Sequence, residues 1–74
     1  MSQWLLYGAN GYTGELVARQ AAREGLRPIL AGRSADAVGR LAGELGLEAR
    51  VFELDDAAAV DRGLAGVNVV LHAA

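Results

Sequence analysis

Leu5-Leu6-Tyr7-Gly8-Ala9-Asn10-Gly11-Tyr12-Thr13-Gly14 carries the strongest structural signal in this chain. An apolar run passes into three glycines spaced three residues apart, and a helical pattern opens on the last of them. Glycine serves where a backbone must turn sharply or lie against another group with no Cβ between. A strand that turns on glycines into a helix aims unpaired N–H groups, and the positive end of the helix dipole, at one spot. Such a spot suits a phosphate, so the segment reads as a dinucleotide pyrophosphate cradle. Gly8 is expected to allow the turn out of the strand. Gly11 is expected to let the backbone approach the pyrophosphate, and Gly14 to let the helix lie close to the sheet. The N–H groups of Tyr12 and Thr13 are the expected phosphate donors. Asn10 suits left-handed geometry or a local hydrogen bond. The spacing is G-x-x-G-x-x-G, one residue longer than the G-x-G-x-x-G fingerprint. A P-loop needs a lysine, and the chain has none.

On either side of this turn, short apolar runs alternate with helical stripes. Gln3–Tyr7 reads as strand one. Tyr12–Glu24 reads as helix one, with Leu16, Val17, Ala21 and Ala22 on helical spacing and Gly25 closing it. Pro28 precedes a second strand at Ile29-Leu30-Ala31. Ser34 is the expected cap of helix two, whose stripe is Val38, Leu41, Ala42 and Leu45. Arg50–Leu54 reads as strand three. Asp55 or Asp56 caps helix three, where Val60 and Leu64 face the core. Val67–Ala73 reads as strand four. Strands alternating with helices predict an α/β fold: a Rossmann-like parallel sheet, β-α-β-α-β-α-β, in strand order 3-2-1-4. In that order the fourth strand, the most hydrophobic of the set, has a bare outer edge. Natural proteins avoid such edges because they recruit other chains. Residues 1–74 are therefore expected to be the N-terminal dinucleotide-binding part of a larger doubly wound enzyme, or to form a homo-oligomer through the strand-four edge.

Three further features bear on the ligand. After strand two, a carboxylate would accept from the 2′-hydroxyl of NAD. Here the chain has Arg33-Ser34, and a guanidinium with a neighbouring hydroxyl suits a 2′-phosphate. The expectation is NADP in preference to NAD. After strand three, Asp55 and Asp56 either cap helix three or accept from the adenine amino group, with Asp55 preferred as the ligand. His72, the only histidine, lies near the crevice at the end of strand four, where the Ala73-Ala74 backbone is expected to pass the cofactor. It has no nucleophile or orienting carboxylate beside it in sequence, so no catalytic residue is assigned. The Tyr-x-x-x-Lys pair of short-chain dehydrogenases is impossible without lysine.

The whole chain narrows the choice further. It has 74 residues, is 53 % hydrophobic, and carries a net charge of −2 with all seven cations arginine. One small domain is the most it can form. No basic stripe for nucleic acid and no polybasic membrane patch is present. The absence of cysteine removes disulfides and thiolate metal sites. No apolar stretch is long enough to span a bilayer, and a soluble cytoplasmic protein is expected.

Tyr7-Gly-Ala-Asn-Gly-Tyr-Thr-Gly14, Leu30-Ala-Gly-Arg-Ser34, Leu45-Gly46 and Val51-Phe-Glu-Leu-Asp55 together resemble the N-terminal domain of the saccharopine-dehydrogenase-like oxidoreductases, a group that includes trans-acting enoyl reductases. Asn10 stands where that family more often has threonine. The resemblance implies an NADP-binding Rossmann domain, hydride transfer, and a substrate domain beyond residue 74. N-acetyl-glutamyl-phosphate reductase carries the same Gly-Tyr-Thr-Gly turn. Extended short-chain dehydrogenases and their non-catalytic redox-sensing relatives share the glycine spacing. Two functions follow: the cofactor domain of an NADP-dependent oxidoreductase, or a non-catalytic NADP sensor.

Overall fold

A computed structural model describes residues 3–73. Strands and helices alternate along it: β1 (Trp4–Tyr7), α1 (Tyr12–Arg23), β2 (Ile29–Gly32), α2 (Ala35–Leu45), β3 (Ala49–Val51), α3 (Ala57–Gly63) and β4 (Val69–His72). The strands form one parallel sheet in the order β3-β2-β1-β4, as the alternation predicts. Ala74 lies outside the described residues, and with it half of the Ala73-Ala74 expectation.

Side chains of β1 alternate between two cores. Leu6 points with Leu30 into a cluster made by α1 and α2: Ala18, Val38, Leu41 and Ala42. Leu5 and Tyr7 point the other way with Ile29, Ala31 and Phe52, against Val60 and Leu64 of α3. Both inner strands are thus buried on both faces, which is why they read as unbroken apolar runs. Each fully buried Leu or Ile contributes about 1.5–3 kcal/mol.

Helix ends follow from local chemistry. Ser34 caps α2 by accepting from Ala37 N at 3.3 Å, and Asp56 caps α3 by accepting from Ala59 N at 3.1 Å. At the far end of α1, Gly25 adopts φ 79°. There Leu26 N donates to Ala21 O and Gly25 N to Ala22 O, which satisfies the last carbonyls. Arg50 donates to Gly63 O and Ala65 O, closing the end of α3.

Two expectations change. Leu16 is not on the buried face of α1; it is 54 % exposed, and Gly14, Ala18 and Ala21 form that face. A helix advances about 100° per residue, so Leu16 lies about 200° round from both Gly14 and Ala18. Strand three is Ala49–Val51 rather than Arg50–Leu54. Phe52 N still donates to Gly32 O at 3.1 Å, but the chain then leaves the sheet. The Phe52 ring turns under α3, where a Cβ on Gly63 would overlap it. It also meets the Tyr7 ring at 5.2 Å between centroids. Burying the ring there draws the following residues across the ends of the strands.

β4 is the edge expected from the sequence, with Val69, Val70 and Leu71 each 44–56 % exposed.

Candidate functional site

Gly8, reached directly from Tyr7 at the end of β1, begins the site. Its φ of 85° is left-handed, which favours glycine. Gly8 N donates to Ala31 O at 2.9 Å and Gly11 N donates back to Gly8 O at 3.0 Å, so the loop is a closed turn pinned to β2. Gly14 then lies against that turn: a Cβ there would overlap Gly8 O and stand 2.8 Å from Gly8 C and 2.9 Å from Ala9 Cα. The third glycine thus brings α1 against the backbone where β1 passes into the loop.

Gly11 differs. As N-cap of α1 it has φ −79° and ψ 170°, open to any residue, and a Cβ would meet only Gly8 O at 3.4 Å. Folding does not demand glycine here. With no side chain at the cap, the N–H groups of Tyr12, Thr13 and Gly14 have no hydrogen-bond partner among the described residues. Of the three helices among the described residues, only α1 starts without a side-chain cap. Its free donors and dipole make a place for an external anion.

The loop opens onto a cavity of about 440 Å³ at the C-terminal ends of the strands, lined by Tyr7, Gly8, Asn10, Gly11, Gly32, Arg33, Ser34 and Glu53. Asn10 folds its amide over Gly32: a Cβ on Gly32 would stand 2.7 Å from Asn10 Oδ1. Ser34 Oγ accepts from Ala37 N and keeps its own hydroxyl proton to donate. Arg19, Arg23, Arg27 and Arg50 donate to protein oxygens. Arg33, Arg40 and Arg62 have no protein partner among the described residues, and of these Arg33 lines this cavity.

Five of the nine sequence-derived residues therefore meet at one cavity: Gly8, Asn10, Gly11, Arg33 and Ser34. Tyr12, Thr13 and Gly14 form the first turn of α1 beside it. Asp55 does not join them. It lines an adjoining cavity of about 370 Å³ with Tyr7, Arg33, Glu53, Leu54 and His72. The cap of α3 is Asp56, which leaves the Asp55 carboxylate without a hydrogen-bond partner among the described residues. Glu53, which sequence reading passed over, borders both cavities. The one signal for it is its place two residues beyond β3. Among the described residues no group of acids, histidines or cysteines is arranged to hold a metal ion.

Tyr7 ties the floor together. Its hydroxyl donates to Phe52 O at 2.7 Å, and its ring meets His72 edge-on at 5.7 Å. Burial raises the Tyr7 pKa above its ordinary 10.0; Arg33 lowers it, and Glu53 and Asp55 raise it. Tyr7→Phe leaves Phe52 O unpaired and is expected to cost about 1–3 kcal/mol in urea denaturation. The folded state holds the phenol proton more tightly than the unfolded chain does. That contribution is therefore intact below about pH 10 and fades as pH rises through the folded pKa. Tyr7→Phe should lack this alkaline loss, and an identical alkaline loss in both proteins would refute the assignment.

A family model described as NAD(P)H-binding matches residues 8–74. Among solved structures, the chain is similar to a nucleoside-diphosphate-sugar epimerase from Pseudomonas aeruginosa, with 32 % identity and a TM-score of 0.80 over 96 % of this chain and 23 % of that one. It is also similar to a protein from Thermus thermophilus provisionally assigned as a short-chain oxidoreductase. That match has 31 % identity and a TM-score of 0.85 over 96 % of this chain and 36 % of that one. The chain thus spans about a quarter to a third of the length of these two structures. No curated protein matches it.

Proposed function

Because the chain belongs to the NAD(P)H-binding family, we propose that it is the cofactor-binding part of an NADP-dependent oxidoreductase of the saccharopine-dehydrogenase-like type. The observation that carries the NADP reading is Arg33, an unpaired guanidinium in the cavity onto which the glycine loop opens, with the Ser34 hydroxyl beside it. The pyrophosphate would lie on the free N–H groups of Tyr12 and Thr13, where Gly11 leaves room no Cβ occupies. The 2′-phosphate would take Arg33 as a bidentate partner and accept from Ser34. Asn10 would border the same ribose. Adenine would enter the adjoining cavity, where Asp55 offers an acceptor for its amino group.

When bound, the nicotinamide supplies the hydride chemistry. The residues of this chain bind and orient; none is assigned to proton transfer. The substrate domain, the substrate and a cytoplasmic location belong to the same proposal, as does self-association through β4. Among the described residues no helix is long and apolar enough to cross a membrane. The two structural relatives are described as an epimerase and an oxidoreductase, and either activity can draw on such a cradle. A non-catalytic NADP sensor would use it too. Hydride transfer by the protein carrying this domain separates enzyme from sensor.

Titration of NADPH and NADH against the protein, followed by calorimetry or nicotinamide fluorescence, tests the reading. The expected outcome is saturable binding of both, with NADPH tighter. Tighter NADH would overturn the NADP assignment.

A further inference from the structure

Arg33 is not alone in its cavity. We infer that Glu53 opposes the 2′-phosphate and limits how strongly the site prefers NADP to NAD. This rests on the proposed placement of the cofactor on the glycine loop and Arg33. Glu53 is the one acid lining that cavity, which it shares with the Gly8–Gly11 turn, Arg33 and Ser34. Its carboxylate makes no hydrogen bond and no ion pair among the described residues, and Arg33 likewise has no ion-pair partner. The guanidinium charge is therefore not cancelled inside the protein, and neither is the carboxylate charge.

The position of Glu53 is built into the fold. The β3 ladder ends with Phe52 N bonded to Gly32 O, the Phe52 ring is held beneath Gly63, and Phe52 O accepts from Tyr7. The next residue along must leave beside Gly32 and Arg33. A phosphate monoester carries about −1.5 to −2 charges at neutral pH. Placed in one cavity with a free carboxylate, it is repelled. The 2′-hydroxyl of NAD is neutral and can donate to that carboxylate instead. One residue therefore weakens NADP while leaving NAD unharmed, and Arg33 does the reverse.

Glu53→Gln keeps the shape and an acceptor oxygen while removing the charge. It should tighten NADPH about five- to tenfold at low salt, the order expected for a like charge several ångströms away in a wet site. NADH should move by no more than about twofold, and the NADPH gain should shrink as salt screens the pair. Glu24→Gln, the same charge change at the opposite end of α1, is the control and should leave the NADPH-to-NADH ratio unchanged. An unchanged ratio in Glu53→Gln, or an equal shift in Glu24→Gln, overturns the inference while leaving the cofactor assignment standing. Failure of the unaltered protein to bind either dinucleotide overturns the cofactor assignment and the inference together.

Discussion

Gly14→Ala is expected to cost about 3 kcal/mol or more of folding free energy, a large share of the roughly 5–15 kcal/mol that holds a small domain together. The added methyl would overlap the Gly8 carbonyl oxygen and press on Gly8 C and Ala9 Cα. These are backbone atoms, and Gly8 is fixed by its bond to Ala31 O and by accepting from Gly11 N. The helix cannot withdraw without opening the core around Ala18, which is fully buried. Alanine's better helix propensity, at most about 1 kcal/mol, does not offset this. Gly11→Ala is the informative partner. Its Cβ has room and its backbone is ordinary, so urea denaturation should give a stability within about 1 kcal/mol of the parent. Its NADPH binding should fall, because the methyl occupies the approach to the free N–H groups. Equal unfolding midpoints for Gly14→Ala and the parent would remove the steric account.

Arg33→Asp is expected to weaken NADPH about a hundredfold or more while leaving NADH within a few-fold of its original affinity, or tighter. Hydrogen bonds to a charged group contribute about 1.5–3 kcal/mol, and about 1.4 kcal/mol is tenfold in affinity. The substitution also sets a carboxylate where the 2′-phosphate would lie. The same carboxylate can accept from the 2′-hydroxyl of NADH. Because Arg33 is exposed and makes no ion pair or hydrogen bond among the described residues, thermal unfolding of the variant should match the parent. A parallel loss of both dinucleotides would show that Arg33 holds a shared part of the cofactor and not the 2′-phosphate.

Beyond these two substitutions, the candidate site divides into parts that are local in sequence and parts that are not. The glycine turn and the Arg33-Ser34 pair are runs of adjacent residues, so their chemistry is legible along the chain. Asp56 as a cap is legible too, as one of two neighbouring candidates. Glu53 is not. Its one local signal is its place two residues beyond β3; it enters the cavity because Phe52, pulled under Gly63, turns the chain toward Gly32. Leu16 misleads for a related reason. Helical spacing shows which residues share a stripe, but several stripes of α1 carry apolar residues, and the glycine-to-backbone contact at Gly14 selects the one that faces inward.

The order of strands and helices, the turn on three glycines and the pairing of Arg33 with Ser34 are all written in the chain's linear pattern. Each is dictated by backbone hydrogen bonding, side-chain periodicity and conformational freedom over a few neighbouring residues. Three-dimensional packing alone sets Gly14 against the backbone of Gly8 and Ala9, where β1 ends. It also leaves Gly11 free of any need for glycine in folding, and sets Arg33 and Glu53 on one cavity with opposite charges. Those facts depend on register between β1, β2 and β3, which brings residues 7, 32 and 52 together across the ends of the sheet. No local pattern encodes a meeting between segments so far apart in the chain.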